Sequence, residues 1–142
     1  MTLKSLIKLA IVCSSLSYCQ LSQQQNALAL SDEVCKFETQ KSYEHTHEFG
    51  GTHKGTMTFD TSKQVNGNGK LVTIFSGKWR LGTSSDYDEV DVQTQGSIFT
   101  LVRHMDGGIS QMWIGTCESN GYVRGSVTDP TVGKGSFSVK FQ

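Results

Sequence analysis

The sequence predicts an all-β protein, a single small antiparallel up-and-down β-barrel of about eight strands, with a two-sheet β-sandwich as the alternative. Two observations carry this prediction. From Cys35 to the C-terminus, short runs alternate between apolar and polar residues, and this period of two is typical of strands that bury one face. All 15 glycines of the 142-residue chain lie at or beyond Gly50, and many mark turns between the runs.

Residues 1–29 lie before this pattern and have the features of a secretory signal peptide. Lys4 and Lys8 provide a positively charged start, an apolar stretch follows, and Ala27-Leu28-Ala29 fits the small-x-small rule for cleavage. We therefore predict a helical signal peptide over residues 1–29 and a β-barrel domain over residues 30–142. The alternative for the first region is an amphipathic N-terminal helix.

The signal peptide predicts where the protein works. We expect a secreted protein, either extracellular or periplasmic. The apolar stretch is interrupted by serines and is too short to cross a bilayer, so no stable membrane insertion is expected. The alternative is a lipid anchor at Cys19, because Leu16-Ser17-Tyr18-Cys19 is similar to a lipoprotein cleavage box.

Charge and cysteine content narrow the classes of function. The chain has 13 Lys and Arg against 13 Asp and Glu, and this balance lacks the basic excess that binds nucleic acid. Removal of residues 1–29 leaves Cys35 and Cys117, which are expected to form a disulfide in an oxidising compartment. A catalytic thiol is the alternative, but no Cys-His motif lies beside either residue.

The predicted strands follow one another at short spacing. The first is the most regular, because Phe37, Tyr43, His45 and His47 fall on one face. Asn-Gly, Asp-Gly and Asp-Pro pairs predict turns between later strands, and closure of such a meander removes its exposed edges. In chain order the strands are predicted over residues 35–49, 53–60, 71–81, 87–94, 97–104, 109–117, 122–128 and 135–141.

The same alternation justifies the later strands. The residues that define one face of the second, third and last strands are His53, Met57 and Phe59, then Leu71, Phe75, Trp79 and Leu81, then Phe137, Val139 and Phe141. The fourth strand begins in an acid-rich run, residues 86–91. This run lacks the spacing and the glycine of a calcium-binding loop, so we expect a solvated strand edge there.

Three histidines form the most specific local feature. His45 and His47 are two apart on a strand and therefore share a face. A three-residue loop at 50–52 pairs Phe49 with His53 and places His53 diagonal to His47 on that face. Three such imidazoles suit a zinc or copper ion. The alternative is structural, with the histidines hydrogen-bonding inside a polar barrel.

The eight-strand meander, together with Gly77-Lys78-Trp79 and Trp113-Ile114-Gly115, resembles the calycin group, which comprises the lipocalins and avidin-type barrels. That resemblance implies a small and often apolar molecule bound inside the barrel. The lipocalin G-x-W motif lies on the first strand, whereas here it lies on the third predicted strand. The resemblance therefore assigns no ligand-binding residue.

Four side chains are candidates for contact with such a ligand, namely Tyr43, Trp79, Trp113 and Arg124. Tryptophan offers a large ring face for stacking, although Trp79 alternatively plugs the barrel. A two-residue turn at 120–121 pairs Ile114 with Val127 and sets Trp113 on the same face as Arg124. If that face is interior, it favours an amphipathic ligand.

No catalytic motif is present, so no catalytic residue is predicted. We predict a secreted, non-catalytic barrel that holds a small apolar or amphipathic molecule in its interior. Its alternatives are a metal-binding protein using His45, His47 and His53, a small barrel enzyme such as a cyclase or isomerase, and an extracellular inhibitor or interaction module. No cofactor is expected except zinc or copper under the metal alternative.

Overall fold

Residues 35–142 are described by a computed structural model, and they form one closed antiparallel barrel. Its eight strands are β1 (Ser42–Glu48), β2 (Thr52–Gly67), β3 (Lys70–Leu81), β4 (Asp88–Gln95), β5 (Ile98–His104), β6 (Ser110–Cys117), β7 (Tyr122–Asp129) and β8 (Gly133–Lys140). Each strand pairs with the next, and β8 pairs with β1. The predicted up-and-down barrel is confirmed, and the sandwich alternative is wrong. The predicted signal peptide and the alternative anchor at Cys19 lie outside the described residues.

Alternation along the strands separates the barrel interior from its surface. In β4, Val90 and Val92 are buried while Asp91 between them is exposed, because successive side chains point to opposite faces of a sheet. Within the described residues, helical structure is limited to one 3-10 turn at Asp106–Gly108. No helix in that part of the chain has the length and apolarity that a membrane crossing requires.

The antiparallel topology gives the barrel two different ends. The loops that connect β1 to β2, β3 to β4, β5 to β6 and β7 to β8 lie at one end, which we call the upper end. The chain before β1, the three other turns and the C-terminus lie at the lower end. The predicted disulfide is confirmed there, since Cys35 is bonded to Cys117 at the end of β6 with their Cα atoms 5.3 Å apart.

The start of the first strand differs from the prediction. β1 begins at Ser42, because residues 35–41 leave the sheet through a turn in which Gln40 has a φ of 62°. The Gln40 amide donates to the Phe59 carbonyl over 2.8 Å. Phe37 is nevertheless buried inside the barrel. We call residues 35–41 the N-terminal strap.

The β1–β2 hairpin keeps the predicted face but changes the register. Its loop consists of residues 49–51 rather than 50–52, so His47 pairs directly with His53 instead of lying diagonal to it. The loop closes through a hydrogen bond from the Phe49 amide to the Gly51 carbonyl, with Gly50 at a φ of 61°. A shift of two residues preserves side-chain direction, and this is why the three histidines still share a face.

The β6–β7 hairpin corrects the predicted environment of Trp113. Trp113 pairs with Val127 and Cys117 pairs with Val123, so the turn is longer than the two residues expected at 120–121. A one-residue change in register exchanges the two faces of the partner strand. Trp113 therefore lies inside with Val127, and Arg124 lies on the outer surface.

Side chains in two layers fill the interior. The lower layer, which we call the aromatic floor, consists of Phe37, Tyr43, Phe59, Phe75, Phe99 and Phe141. The upper layer contains the histidines and the tryptophans. Phe137 on β8 joins the layers, since its ring centroid lies 6.0 Å from that of Phe99 and 5.0 Å from that of Trp113.

Candidate functional site

The rings of His45, His47, His53, Trp79 and Trp113 meet in the upper half of the barrel, and we call them the histidine–tryptophan cluster. β1 supplies His45 and His47, while β2, β3 and β6 supply one ring each. The His45 ring stacks on Trp79 at 4.7 Å between centroids. The His47 ring lies 5.2 Å from His53 and 5.3 Å from Trp113. The inward-pointing positions of four strands therefore bring these five rings into one continuous aromatic group.

The cluster has a buried interior and an exposed rim. His45, Trp79 and Trp113 are at most 2% exposed, and His47 is 5% exposed. His53, at the start of β2, is exposed. Solvent therefore reaches the cluster from the upper end, at the stacked pair of His47 and His53.

Gly55 makes room for the His45 ring. It pairs with His45 across the β1–β2 ladder, and a Cβ atom at Gly55 would lie only 2.6 Å from His45 Nε2. In this space His45 Nε2 lies 3.1 Å from the Arg80 carbonyl oxygen. Because a carbonyl only accepts hydrogen bonds, Nε2 must be the donor, and Nδ1 of the neutral ring is left as an acceptor.

Three buried nitrogens of the cluster have no hydrogen-bond partner among residues 35–142. They are His45 Nδ1, His47 Nδ1 and Trp79 Nε1. A buried polar group without a partner costs about 1–3 kcal/mol. Protein interiors normally satisfy such groups with protein, water or ligand atoms. The cluster therefore presents an acceptor at His45 and a donor at Trp79 for which residues 35–142 supply no partner.

A chain of polar side chains borders the cluster. The Arg103 guanidinium lies over the Trp79 ring, and its Nε donates to Asp88 Oδ2 over 2.7 Å. Its Nη1 donates to Gln111 Oε1 over 3.1 Å, and Gln111 Nε2 donates to Asp129 Oδ2 over 2.8 Å. Asp88 therefore neutralises the charge of Arg103.

Burial keeps both inner histidines neutral. It lowers the pKa of His45 to about 4, against a smaller raising effect of the Arg80 hydrogen bond, and His47 and Arg103 lower it further. Burial also lowers the pKa of His47 to about 4, with His53 and Arg103 acting in the same direction. Both rings are uncharged at neutral pH, so the site favours hydrogen bonding over charge pairing.

Asp129 organises the β7–β8 turn beside the cluster. Its Oδ1 accepts hydrogen bonds from the Thr131 amide and hydroxyl and from the Val132 amide. Hydrogen bonds from Thr131 and Gln111 hold the pKa of the Asp129 carboxyl well below its usual range. A charged carboxylate therefore fixes both the turn and the Gln111 side chain.

The four predicted ligand-contact residues lie in three different parts of the structure. Trp79 and Trp113 lie together in the cluster. Tyr43 lies in the aromatic floor, where its hydroxyl accepts a hydrogen bond from the Glu38 amide over 2.7 Å. Arg124 was a candidate on the condition that its face is interior, and the β6–β7 register turns it outward, where it forms an exposed ion pair with Glu118.

Arg103, Asp88 and Gln111 were not predicted as site residues. Arg103 follows the buried Phe99 and Leu101 at intervals of two along β5. This spacing in the sequence indicates that the guanidinium points inward. Its pairing with Asp88 could be recognised only from the structure, in which β4 and β5 are neighbours.

Metal binding by His45, His47 and His53 stays a prediction. The three rings lie in a row, with 5.6 Å between the centroids of His45 and His47 and 5.2 Å between those of His47 and His53. Within the described residues, no group of three or more His, Cys, Asp or Glu side chains has an arrangement that could hold a metal ion. The histidines contact aromatic rings instead.

A surface groove of about 340 Å³ lies outside the barrel wall beside the cluster. Its lining includes His45 and Gly55, with Glu44 and Lys54 at its sides. Gly55 borders both this groove and the His45 ring, since a Cβ atom at Gly55 would lie 2.6 Å from His45 Nε2.

Comparison of the chain with protein families, curated proteins and solved structures finds no match. The residues of the cluster and their chemistry are therefore the basis for a functional proposal.

Proposed function

We propose that the protein is a secreted, non-catalytic β-barrel of calycin-like architecture that binds a small amphipathic molecule at the histidine–tryptophan cluster. One observation carries this proposal, namely the three buried nitrogens of His45, His47 and Trp79 that lack partners among the described residues. Ligand sites in proteins typically combine aromatic walls with a few polar groups that fix orientation. The cluster has this composition.

The chemistry of the cluster defines the class of ligand. His45 Nδ1 accepts a hydrogen bond and Trp79 Nε1–H donates one, so the ligand carries both a donor and an acceptor. The ring faces of Trp79 and Trp113 favour a flat, largely apolar body. Since Asp88 already neutralises Arg103, a neutral ligand is preferred over an anion.

The ligand enters from the upper end. His53 is exposed and stacks on His47, which itself is almost buried. Movement of these two rings gives access to the unpaired nitrogens of His45 and Trp79, which are more deeply buried. The short loop of residues 49–51, which joins the strands that carry both histidines, is the segment that has to adjust.

Secretion is part of the proposal and rests on two features. The N-terminal 29 residues have the pattern of a cleavable signal peptide. The Cys35–Cys117 disulfide fits an oxidising compartment.

The test is native mass spectrometry of the protein purified from its own cells, compared with W79F, H47Q and H104Q variants expressed in the same cells. We expect a small organic molecule to co-purify with the natural chain and with H104Q, since His104 is exposed on the outer surface. W79F keeps a ring but removes the Nε1–H donor. Loss of one buried hydrogen bond weakens binding by about tenfold.

Two results would contradict the proposal. One is a bare protein mass under conditions that preserve non-covalent complexes. The other is a bound molecule that W79F and H47Q retain as firmly as H104Q does. Calorimetric titration of zinc and copper separates the metal alternative, because metal binding lost equally in H45Q, H47Q and H53Q would assign the cluster to an ion.

A further inference from the structure

The N-terminal strap closes the lower end of the barrel with one aromatic side chain. The Phe37 ring lies among five other rings of the aromatic floor, and its side chain is 8% exposed. The centroid distances are 4.9 Å to Tyr43, 5.5 Å to Phe59, 6.1 Å to Phe75, 5.6 Å to Phe99 and 5.4 Å to Phe141. Phe37 thus occupies a pocket whose walls come from other parts of the chain.

The walls of this pocket do not need the strap. β1 begins at Ser42, and the pairing of β8 with β1 closes the barrel without any residue from 35–41. Tyr43, Phe59 and Phe75 are carried by paired strands. Removing the strap would therefore open the pocket while the sheet stays closed.

Hydrogen bonds and one covalent bond attach the strap to the barrel. The Glu38 amide donates to the Tyr43 hydroxyl, and Gln40 bonds the Phe59 and Asp60 carbonyls through its amide and its Nε2. The strongest attachment is covalent, because the Cys35–Cys117 disulfide ties the start of the strap to β6. This bond keeps the effective concentration of Phe37 at the pocket high.

We propose that Phe37 is an intramolecular occupant of an aromatic-binding pocket, and that opening the Cys35–Cys117 disulfide allows a small aromatic molecule to displace it. The ligand class is a small neutral aromatic hydrocarbon such as toluene, since the groups that surround Phe37 are aromatic rings. This pocket lies at the end opposite the histidine–tryptophan cluster and does not depend on the function proposed for that cluster.

The opening step is a thiol–disulfide exchange. A dithiol reductant attacks one sulfur of the disulfide, the other leaves as a thiolate that takes up a proton, and the second thiol of the reductant displaces the first cysteine. The protein gains two electrons and two protons as Cys35 and Cys117 thiols, and the reductant becomes a cyclic disulfide. The chain connection into β1 is then the only covalent link between the strap and the barrel.

The experiment measures the thermal unfolding midpoint with and without toluene in four proteins. These are the oxidised natural chain, the same chain reduced with dithiothreitol, oxidised F37A, and C35A/C117A. We expect no toluene effect on the oxidised natural chain. In oxidised F37A, toluene at ten times its Kd should raise Tm by about 5 °C.

The reduced chain and C35A/C117A should also bind toluene, but at least about tenfold more weakly than F37A, because their Phe37 competes for the pocket. C35A/C117A is the matched control for the reductant, since dithiothreitol should not change its toluene affinity. Near-ultraviolet circular dichroism establishes that each protein is folded.

The proposal is overturned if folded F37A does not bind toluene, or if the reduced chain and C35A/C117A are folded and fail to bind it. It is also overturned if toluene stabilises the oxidised natural chain as much as F37A. If F37A does not fold, toluene binding by the reduced chain and by C35A/C117A tests the proposal. If both of these are also unfolded at saturating toluene, the result counts against the proposal.

Discussion

The guanidinium carbon of Arg103 lies 3.5 Å from the centroid of the Trp79 ring. Asp88 binds the same guanidinium, so the cation covers an aromatic face without leaving an unpaired charge inside the barrel. The Trp79 ring also stacks with His45. Arg103 therefore contacts both the polar side chains of Asp88 and Gln111 and the Trp79 ring, whose Nε1–H lacks a partner.

Removal of Arg103 should destabilise the barrel. R103M keeps part of the apolar stem but leaves Asp88 without the Arg103 donor and leaves Gln111 Oε1 with Trp113 Nε1 as its remaining donor. We expect a loss of about 2–3 kcal/mol in the free energy of unfolding. R124M is the matched control, because Arg124 is an exposed cation in a surface ion pair and such pairs contribute about 0–1 kcal/mol. Urea unfolding at pH 7 measures both. Equal losses in the two variants would contradict the assigned role.

A methyl group at Gly55 should be poorly tolerated. The added Cβ would lie 1.9 Å from the Arg80 carbonyl oxygen and 2.6 Å from His45 Nε2, so the β2 backbone and the His45 ring must move. We expect G55A to lose about 2–4 kcal/mol of unfolding free energy. It should also break the hydrogen bond from His45 to Arg80.

G51A provides the comparison for this substitution. A Cβ at Gly51 would have no atom within 4 Å, and we expect a change within about 0.5 kcal/mol. Urea unfolding and the ¹⁵N chemical shifts of the His45 ring distinguish the variants. A G55A protein with natural stability and an unchanged His45 tautomer would show that the glycine is not needed.

The buried histidines should make the barrel sensitive to acid. The pKa of His45 is lowered from 6.5 to about 4 in the folded protein, so the unfolded chain binds more protons between these values. Stability contributed by the neutral ring is complete above pH 6.5 and is lost as the pH falls to about 4. One such histidine accounts for about 3 kcal/mol, and His47 acts in the same direction.

This dependence is measured by urea unfolding from pH 7 to pH 4. H45Q should lose less stability on acidification than the natural chain, because it lacks one of the two titrating rings. Parallel curves for H45Q and the natural chain would exclude His45 as a source of the acid sensitivity.

Loss of the disulfide should reduce stability through the unfolded state. The bond joins residues 82 positions apart, and constraining a loop of this length stabilises a protein by about 4–5 kcal/mol in the chain-entropy treatment. C35A/C117A should therefore unfold at much lower urea concentration, with its barrel strands still paired. A loss below about 1 kcal/mol would show that the unfolded chain gains little freedom when the bond is absent.

Side-chain direction was the part of this structure that the sequence predicted well. The alternation along β1 correctly placed Tyr43, His45 and His47 on one face. The same alternation placed Trp79 and Phe137 inside the barrel. The reason is local, because strand geometry alone makes neighbouring side chains point to opposite faces. The barrel and the Cys35–Cys117 pairing followed from the number of such strands and from the cysteine count.

Register and the strap were decided by the tertiary structure. The length of the β6–β7 turn set Trp113 inside and Arg124 outside, and the β1–β2 loop placed His53 opposite His47. These outcomes depend on which backbone hydrogen bonds two strands form together, and neither strand encodes that choice alone. Phe37 points into the barrel as the alternation predicted, although its segment is not part of the sheet. Burial among five aromatic rings, rather than strand geometry, sets its direction.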